Sequence, residues 1–148
     1  MNPDIHFSNL RKKALSGELI SSGQLVWHLE MLLNFNYIKK IKVGNYSIFF
    51  PIDMDEETAS SIFLLRDRIN NKIIHLLSEK NLIVKSEIYK EINEKRENVY
   101  YHINNLIDYQ LITLSKESDK IVYINPKKKK IVTNILKKSK YIFTRTDQ

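Results

Sequence analysis

Residues 96–126, RENVYYHINNLIDYQLITLSKESDKIVYINP, decide the fold predicted for this chain. The stretch opens with apolar residues at three- and four-residue spacing, which indicates one buried helix face: Val99, Ile103, Leu106 and Ile107. Two short β-type runs follow, residues 111–114 and 120–124, separated by the turn-like residues 116–119, KESD. The stretch therefore predicts a helix followed at once by a hairpin.

The same layout occurs 74 positions earlier in the chain. Residues 22–51, SGQLVWHLEMLLNFNYIKKIKVGNYSIFFP, match the later stretch when shifted by 74, although the prolines miss each other by one residue. Matched pairs include Leu25 with Val99 and His28 with His102. A repeat of this kind is evidence about architecture before it is evidence about function. The sequence predicts an α+β fold, mainly α with small β-hairpins, built as a tandem winged helix-turn-helix.

Three segments follow from the repeat. We expect residues 1–51 to form a first module that is truncated at its N-terminus, and residues 52–126 to form a complete second module. Residues 127–148 form a basic C-terminal helix or tail, with a helix over 127–143. The boundary near residue 51 is supported by an acidic helix start, which complements the helix dipole: Asp55, Glu56 and Glu57.

Helix caps place the remaining elements. Ser8 begins a short helix, Ser21 or Ser22 caps the first recognition helix, and Ser86 caps a helix of the second module. Residues 56–79 read as one long or two consecutive helices, 82–84 as a short strand, and 94–97 as a turn. Because about 50 residues without an opening helix can hardly supply a core, we expect the helix over 127–143 or a second subunit to cover the first module.

Composition excludes several classes of protein. The 148 residues contain no cysteine, so disulfides and thiolate metal sites are excluded. No apolar run reaches membrane-spanning length, and the first residues lack a signal-peptide layout, so we expect a cytoplasmic protein. No catalytic motif is present, which predicts a protein that is not an enzyme and uses no cofactor. His28 and His102 occupy matching positions, but four scattered histidines make a poor metal-ligand set.

The net charge of +7 indicates a polyanionic partner, but the charge is unevenly distributed. Residues 1–51 carry +3, residues 52–95 carry −2 and residues 96–126 carry −1. The last segment, 127–148, carries +7, an amount equal to the whole excess. The second module therefore has no broadly basic surface.

Short motifs across residues 2–126 resemble those of archaeal transcriptional regulators with two winged-helix domains, related to the ArsR and MarR groups. NPDIHF at residues 2–7, SGQL at 22–25 and WHL at 27–29 are similar to that family's NPGIHFxxL and STGQLxYHLxxL stretches. LRD at 65–67 is similar to the opening of its second domain, LLRDPTRRRILELL, and residues 99–106 to its VxxHLxxL. The resemblance implies a DNA-binding regulator; the thiolate metal-sensor box of metal-responsive ArsR proteins is absent.

Outward positions of the predicted helices and hairpins supply the DNA-contact candidates, because helix side chains reach base edges while wings hold phosphates. In the second module these are Arg96, Asn98, Tyr100, Tyr101, Asn105, Lys116 and Lys120. In the first module they are Ser22, Gln24, Trp27, Lys39, Lys40 and Lys42. The tail adds Lys127, Lys128, Lys129 and Lys130, which either contact phosphate or form the charged face of a dimer helix.

Two functions remain open from the sequence. The first is a sequence-specific transcriptional regulator that binds double-stranded DNA as a homodimer. The alternative is a winged-helix interaction module that binds a protein of the transcription or replication machinery without reading DNA. The acid-rich residues 51–95 and the near-neutral second hairpin favour the alternative, whereas the tandem motif and basic tail favour DNA. The two differ in salt response, since phosphate neutralisation makes affinity fall steeply with ionic strength.

Overall fold

The computed structural model describes the backbone of residues 5–6 and 22–146 and the side chains of residues 22–138. The helix expected after Ser8 and the cap expected at Ser21 lie outside the described residues. The chain forms two compact units, Met1–Phe63 and Leu64–Gln148. Over the part of the chain that is described, no helix is both long and apolar enough to cross a membrane.

The first unit combines a helix with a small antiparallel sheet. Its elements are β1 (Ile5–His6), α1 (Ser22–Asn34), β2 (Ile38–Val43), β3 (Tyr46–Pro51) and most of α2 (Glu56–Arg66). The strand order is β1-β3-β2, with the β2–β3 hairpin turning at Gly44, whose φ of 61° suits a residue without a Cβ. Leu25 and Leu29 of α1 pack with Ile38 of β2 to form the core beneath the helix.

The second unit has three helices, a hairpin and a last helix. Its elements are α3 (Arg68–Lys80), β4 (Ile83–Val84), α4 (Lys85–Glu91), α5 (Arg96–Asp108), β5 (Ile112–Leu114), β6 (Ile121–Ile124) and α6 (Lys129–Thr146). The antiparallel sheet has the order β4-β6-β5, so the hairpin is joined to the rest of the unit through β4. The expected α+β class is confirmed, and residues 56–79 form two consecutive helices rather than one.

The step from helix to hairpin has the same local structure in both units. Helices α1 and α5 each span 13 residues, and their first residues lie 74 positions apart. After each helix one residue has a left-handed backbone, Asn36 with φ of 59° and Gln110 with φ of 61°. One hydrogen bond then closes each turn at 2.9 Å, from the Tyr37 amide to the Leu32 carbonyl and from the Leu111 amide to the Leu106 carbonyl.

The start of α4 differs from its prediction. Val84 is the N-cap residue and makes no side-chain cap bond, so Ser86 lies within the first turn and does not cap the helix. The cause is the pairing of β4 with β6, which brings the Lys85 amide to the Lys120 carbonyl at 2.7 Å. A main-chain acceptor from the hairpin thus satisfies the first amide of α4, which has no partner within the helix.

Three smaller expectations also need correction. Helix α5 begins at Arg96, so Glu97 belongs to its first turn and not to the preceding loop. Leu82 precedes β4 and is 59% exposed. In α6 the spacing of Ile131, Ile135 and Leu136 predicts an apolar stripe; Leu136 and Val132 are buried, whereas Ile131 is half-buried.

A buried amide connects three helices of the second unit. Asn70 is 4% exposed, and its Nδ2 donates to the Leu64 carbonyl at 2.9 Å. Its Oδ1 lies 2.8 Å from Nδ1 of His102 in α5, and because an amide oxygen is only an acceptor, the imidazole donates. The carboxylate of Asp67, which caps α3, lies 3.4 Å from the same nitrogen. The end of α2, the start of α3 and the middle of α5 are therefore held together.

We expect Asn70→Ala to lower the free energy of unfolding by about 1–3 kcal/mol, because it leaves buried hydrogen-bonding groups without their partner. Urea unfolding followed by circular dichroism measures the change. Asn104→Ala, at an exposed position of α5, is the matched control and should stay within about 0.5 kcal/mol of the unchanged protein. Equal effects of the two substitutions would contradict the connecting role of Asn70.

Candidate nucleic-acid interface

The outer face of α5 is set by the residues that the helix buries. Val99, Ile103 and Leu106 are fully buried, so the opposite side of the helix faces solvent. Asn98 is exposed there, and Tyr101, at 64% exposed, stands edge-on to His102 with 5.4 Å between ring centroids. An amide and an aromatic ring therefore project from the first two turns of the helix.

This face is not basic. Glu97 and Asp108 are exposed on the same side of α5 as Tyr101, since they lie one turn before it and two turns after it. Both carboxylates repel phosphate, so the face offers hydrogen-bonding groups and one ring rather than a positive surface. Any attraction to a polyanion must come from the flanks of the helix, the hairpin or the tail.

Arg96 and Tyr100 occupy a flank of α5, not its outer face. Tyr100 is half-buried, and its ring meets that of Tyr89 of α4 edge-on at 6.4 Å between centroids. The guanidinium carbon of Arg96 lies 5.1 Å from the Tyr100 ring centroid, and Nζ of Lys85 lies 5.0 Å from it. The expectation that the five α5 candidates share one outward face is therefore corrected for Arg96 and Tyr100. Asn105, one turn after Tyr101, is half-buried.

The second hairpin presents two exposed lysines, Lys116 and Lys120. Its turn is shaped by serine side chains, since Ser115 Oγ accepts from the Glu117 amide and Ser118 Oγ accepts from the Lys120 amide, each at 3.3 Å. These bonds fix the loop without using the lysine side chains. Both lysines are left exposed beside the two acidic residues of the same turn, Glu117 and Asp119.

Helix α1 repeats part of the α5 surface. Gln24 is exposed at the position that matches Asn98, and Trp27 is 57% exposed at the position that matches Tyr101. The Trp27 ring stands edge-on to His28 at 5.1 Å between centroids, as Tyr101 does to His102. Ser22, the first residue of α1, is half-buried.

The lysines of the first hairpin are not equivalent. Lys39 is half-buried, donates to the Met54 carbonyl at 3.2 Å and lies over the Phe50 ring. Its ammonium is therefore bound within the base of the hairpin, whereas the sequence predicts an outward lysine that contacts phosphate. Lys40, over the Phe49 ring, and Lys42 are both exposed.

The basic tail is anchored by its own helix. Lys127, Lys129 and Lys130 are exposed, and Lys128 is half-buried. Val132 and Leu136 follow at 1% and 8% exposed, so α6 contributes to the core as well as carrying charge. The tail therefore has an inward apolar side and an outward cationic one.

An ion-pair network fixes the loop before α5. Glu94 accepts hydrogen bonds from Arg68 and from Lys72 of α3, the second at 2.9 Å, and its side chain is 13% exposed. The hydrogen bond from Arg68, followed by that from Lys72, lowers the pKa of Glu94 to about 2. The carboxylate thus stays ionised far into the acid range and ties the loop to the first turns of α3.

Of the residues that the sequence analysis did not single out, only Asn70 could have been recognised from the sequence pattern. Asn70 lies at helical spacing with Ile73, Ile74 and Leu77, so its burial was detectable as a polar residue on an apolar face. Lys85, Tyr89 and Glu94 had no such signal, because their contacts join separate elements. Within the described residues, no group of three His, Cys, Asp or Glu side chains is placed to hold a metal ion.

The geometry defines an α+β protein whose two units each contain a helix with an exposed amide and aromatic ring, followed by a hairpin. Over 122 residues, 82% of this chain, the sequence is 30% identical to an uncharacterized HTH-type transcriptional regulator from Methanocaldococcus jannaschii. The matched stretch covers 30% of that regulator, so the chain spans less than a third of the relative's length. No protein-family model matches the chain.

The pKa of Glu94 gives a pH-dependent prediction. Since the folded-state pKa is about 2 and the ordinary value is 4.5, the carboxylate stabilises the fold fully above pH 4.5 and loses that effect as pH falls toward 2. Glu94→Gln should lower the melting temperature at pH 7, and the gap to the unchanged protein should close between pH 4.5 and 2. Thermal unfolding by circular dichroism measures both.

Glu91→Gln is the control for this experiment. Glu91 makes one exposed ion pair with Lys80 at 3.3 Å, and such pairs contribute little. Its substitution should shift the melting temperature less than Glu94→Gln at pH 7. A Glu94→Gln gap that stays constant down to pH 2 would contradict the role assigned to the ionised carboxylate.

Proposed function

We propose that the chain is a DNA-binding transcriptional regulator made of two winged helix-turn-helix modules in tandem. The observation that carries this proposal is helix α5, which exposes Asn98 and Tyr101 and is followed at once by the β5–β6 hairpin. In this proposal residues 52–126 form one module, residues 1–51 a shorter one, and residues 127–148 the basic tail. The HTH-type name of the Methanocaldococcus relative supports the same class.

Base reading is assigned to the first turns of α1 and α5. Asn and Gln side chains can pair bidentately with adenine in the major groove, which suits Asn98 and its counterpart Gln24. Tyr101 and Trp27 supply apolar contact next to those amides, and Asn105 lies further along the same side of α5. Ser22, at the start of α1, is suited to a phosphate or sugar contact.

Phosphate contacts are assigned to lysines outside these helix faces. Lys116 and Lys120 on the second hairpin and Lys40 and Lys42 on the first are exposed. The tail lysines add further positive charge to the second unit, with Lys128 partly buried. Lys39 is left out of this set, because its ammonium donates a hydrogen bond to the Met54 carbonyl at the base of the hairpin. This division matches the usual roles of phosphate contacts in positioning and base contacts in specificity.

The proposal includes a homodimer. About 50 residues supply only a small core, so we expect the helix over 127–143 or a second subunit to cover the first module, and the assembly we propose uses the second subunit. Paired recognition helices then meet half-sites about one turn of DNA apart, as in other helix-turn-helix dimers. The number of copies on DNA is measurable by analytical ultracentrifugation of the complex.

A second candidate function is docking to a protein of the transcription machinery. Glu97 and Asp108 on the outer face of α5 favour it, because they repel DNA while leaving Tyr101 exposed for an apolar contact. A protein complex formed through this face would depend weakly on salt. A DNA complex would lose affinity steeply as salt rises.

The base-reading assignment is tested by fluorescence polarisation on a duplex selected from random sequences. Asn98→Ala should cost about 1–3 kcal/mol of binding free energy on the preferred sequence and relax selectivity at one position. Asn104→Ala, an exposed amide one to two turns further along α5, is the matched control and should leave selectivity unchanged. If neither variant loses selectivity, Asn98 is not one of the residues that read bases.

The tail is tested by charge removal instead of truncation, because deleting α6 would uncover the core at Val132 and Leu136. Neutralising Lys127, Lys129 and Lys130 together to Gln should flatten the plot of log affinity against log salt. The expected change is about 0.9 for each phosphate released, with no change in preferred sequence. An unaltered slope would assign these lysines to subunit contact or to solubility.

A further inference from the structure

Two cations from different helices converge on one aromatic ring. Lys85 is the first residue of α4 and Arg96 the first residue of α5, and both charged groups lie within 5.1 Å of the Tyr100 ring centroid. Each contact is favourable because the ring face carries negative potential. The two like charges nevertheless repel each other, so the arrangement is suited to an anion that neutralises both.

No carboxylate among the described side chains forms an ion pair with either cation. The nearby Glu87 of α4 pairs with Lys90 at 3.6 Å. Glu97 follows Arg96 in sequence but is exposed on the outer face of α5, away from the Tyr100 flank. Both charges therefore remain available to a ligand.

Neighbouring groups contact the Tyr100 ring and the backbone of Lys85. Tyr89 stands edge-on to Tyr100, and the backbone of Lys85 is fixed by its 2.7 Å hydrogen bond to the Lys120 carbonyl. That bond also brings the hairpin, with exposed Lys120, beside the pair. Helices α4 and α5 thus each contribute one cation at the Tyr100 ring, with the hairpin backbone bonded to the start of α4.

We propose that Lys85 and Arg96 bind one phosphate group together, and that Tyr100 is a positioning residue that holds both cations toward it. The guanidinium of Arg96 offers a planar pair of donors that matches two phosphate oxygens, while the ammonium of Lys85 acts as a point charge. This inference rests on the proposed function, in which the phosphate belongs to the DNA backbone. It gives Arg96 a positioning contact with phosphate in place of base reading.

The test is the salt dependence of binding to a random-sequence DNA duplex, measured by fluorescence polarisation with the full chain. Lys85→Gln and Arg96→Gln should each lower the slope of log affinity against log salt by up to about 0.9. Because the phosphate is shared, the double variant should lose about 0.9 in total. Two independent phosphates would instead lose about 1.8, and that result would overturn the shared site.

Lys80→Gln is the matched control, since it removes the same charge from the same unit at a lysine paired with Glu91. Its slope should equal that of the unchanged protein. Tyr100→Phe keeps the ring face and should keep the slope, whereas Tyr100→Leu should lose as much as the double variant. Circular dichroism of each variant establishes that the fold is retained. If the Leu variant unfolds, the comparison of the Lys85→Gln and Arg96→Gln single variants with the double variant still decides the shared site.

The outcomes separate this inference from the proposed function. If the unchanged protein binds DNA with a steep slope that Lys85→Gln and Arg96→Gln leave intact, the phosphate site is overturned and DNA binding stands. If the unchanged protein does not bind DNA, the proposed function fails. The anion site is then tested by titrating the protein with inorganic phosphate and comparing the result with a sodium chloride titration at equal ionic strength. Saturable NMR shifts of the Arg96 Nε–H, absent in Lys85→Gln, support an anion site for another phosphate ligand; no shift overturns it.

Discussion

The buried side chain of Asn70 is the constraint on which the second unit depends. Its amide donates to the Leu64 carbonyl and accepts from His102, so the end of α2 and the middle of α5 are fixed to the first turn of α3. A buried polar group is costly when unpaired and directional when paired. The apolar contacts of Val99 and Ile103 supply burial, and the amide selects the rotation of α5 that turns Tyr101 outward.

Charge and hydrogen-bonding groups are separated in the second unit. The outer face of α5 has Asn98, Tyr101 and two carboxylates, whereas the unpaired cations lie on its flank and on the hairpin. For the proposed regulator this separation has a physical logic, because base edges are distinguished by donors and acceptors and phosphates by charge. A strongly basic recognition face would add affinity for any sequence and reduce the share of binding that depends on bases.

Local patterns predicted most of the elements. Apolar spacing located α5, the acidic start located α2, and Gly44 located the first hairpin turn. The failures were positions where a neighbour in space replaced a local signal. Ser86 is a good cap by composition, but the Lys120 carbonyl serves the helix start instead. Glu94 reads as a loop carboxylate, and only its contacts with α3 reveal the lowered pKa.

The sequence by itself determined the repeat, the helix and hairpin order and the residues that α5 buries, because these depend on backbone periodicity and on apolar spacing within about 30 residues. It also determined that positive charge is concentrated in the tail. Only the tertiary structure decided that Lys85 and Arg96 meet at Tyr100, that Asn70 reaches His102, and that Lys39 is tied to Met54. These contacts join residues of different helices and strands. They depend on how those elements pack together, which the residue spacing within a single element does not determine.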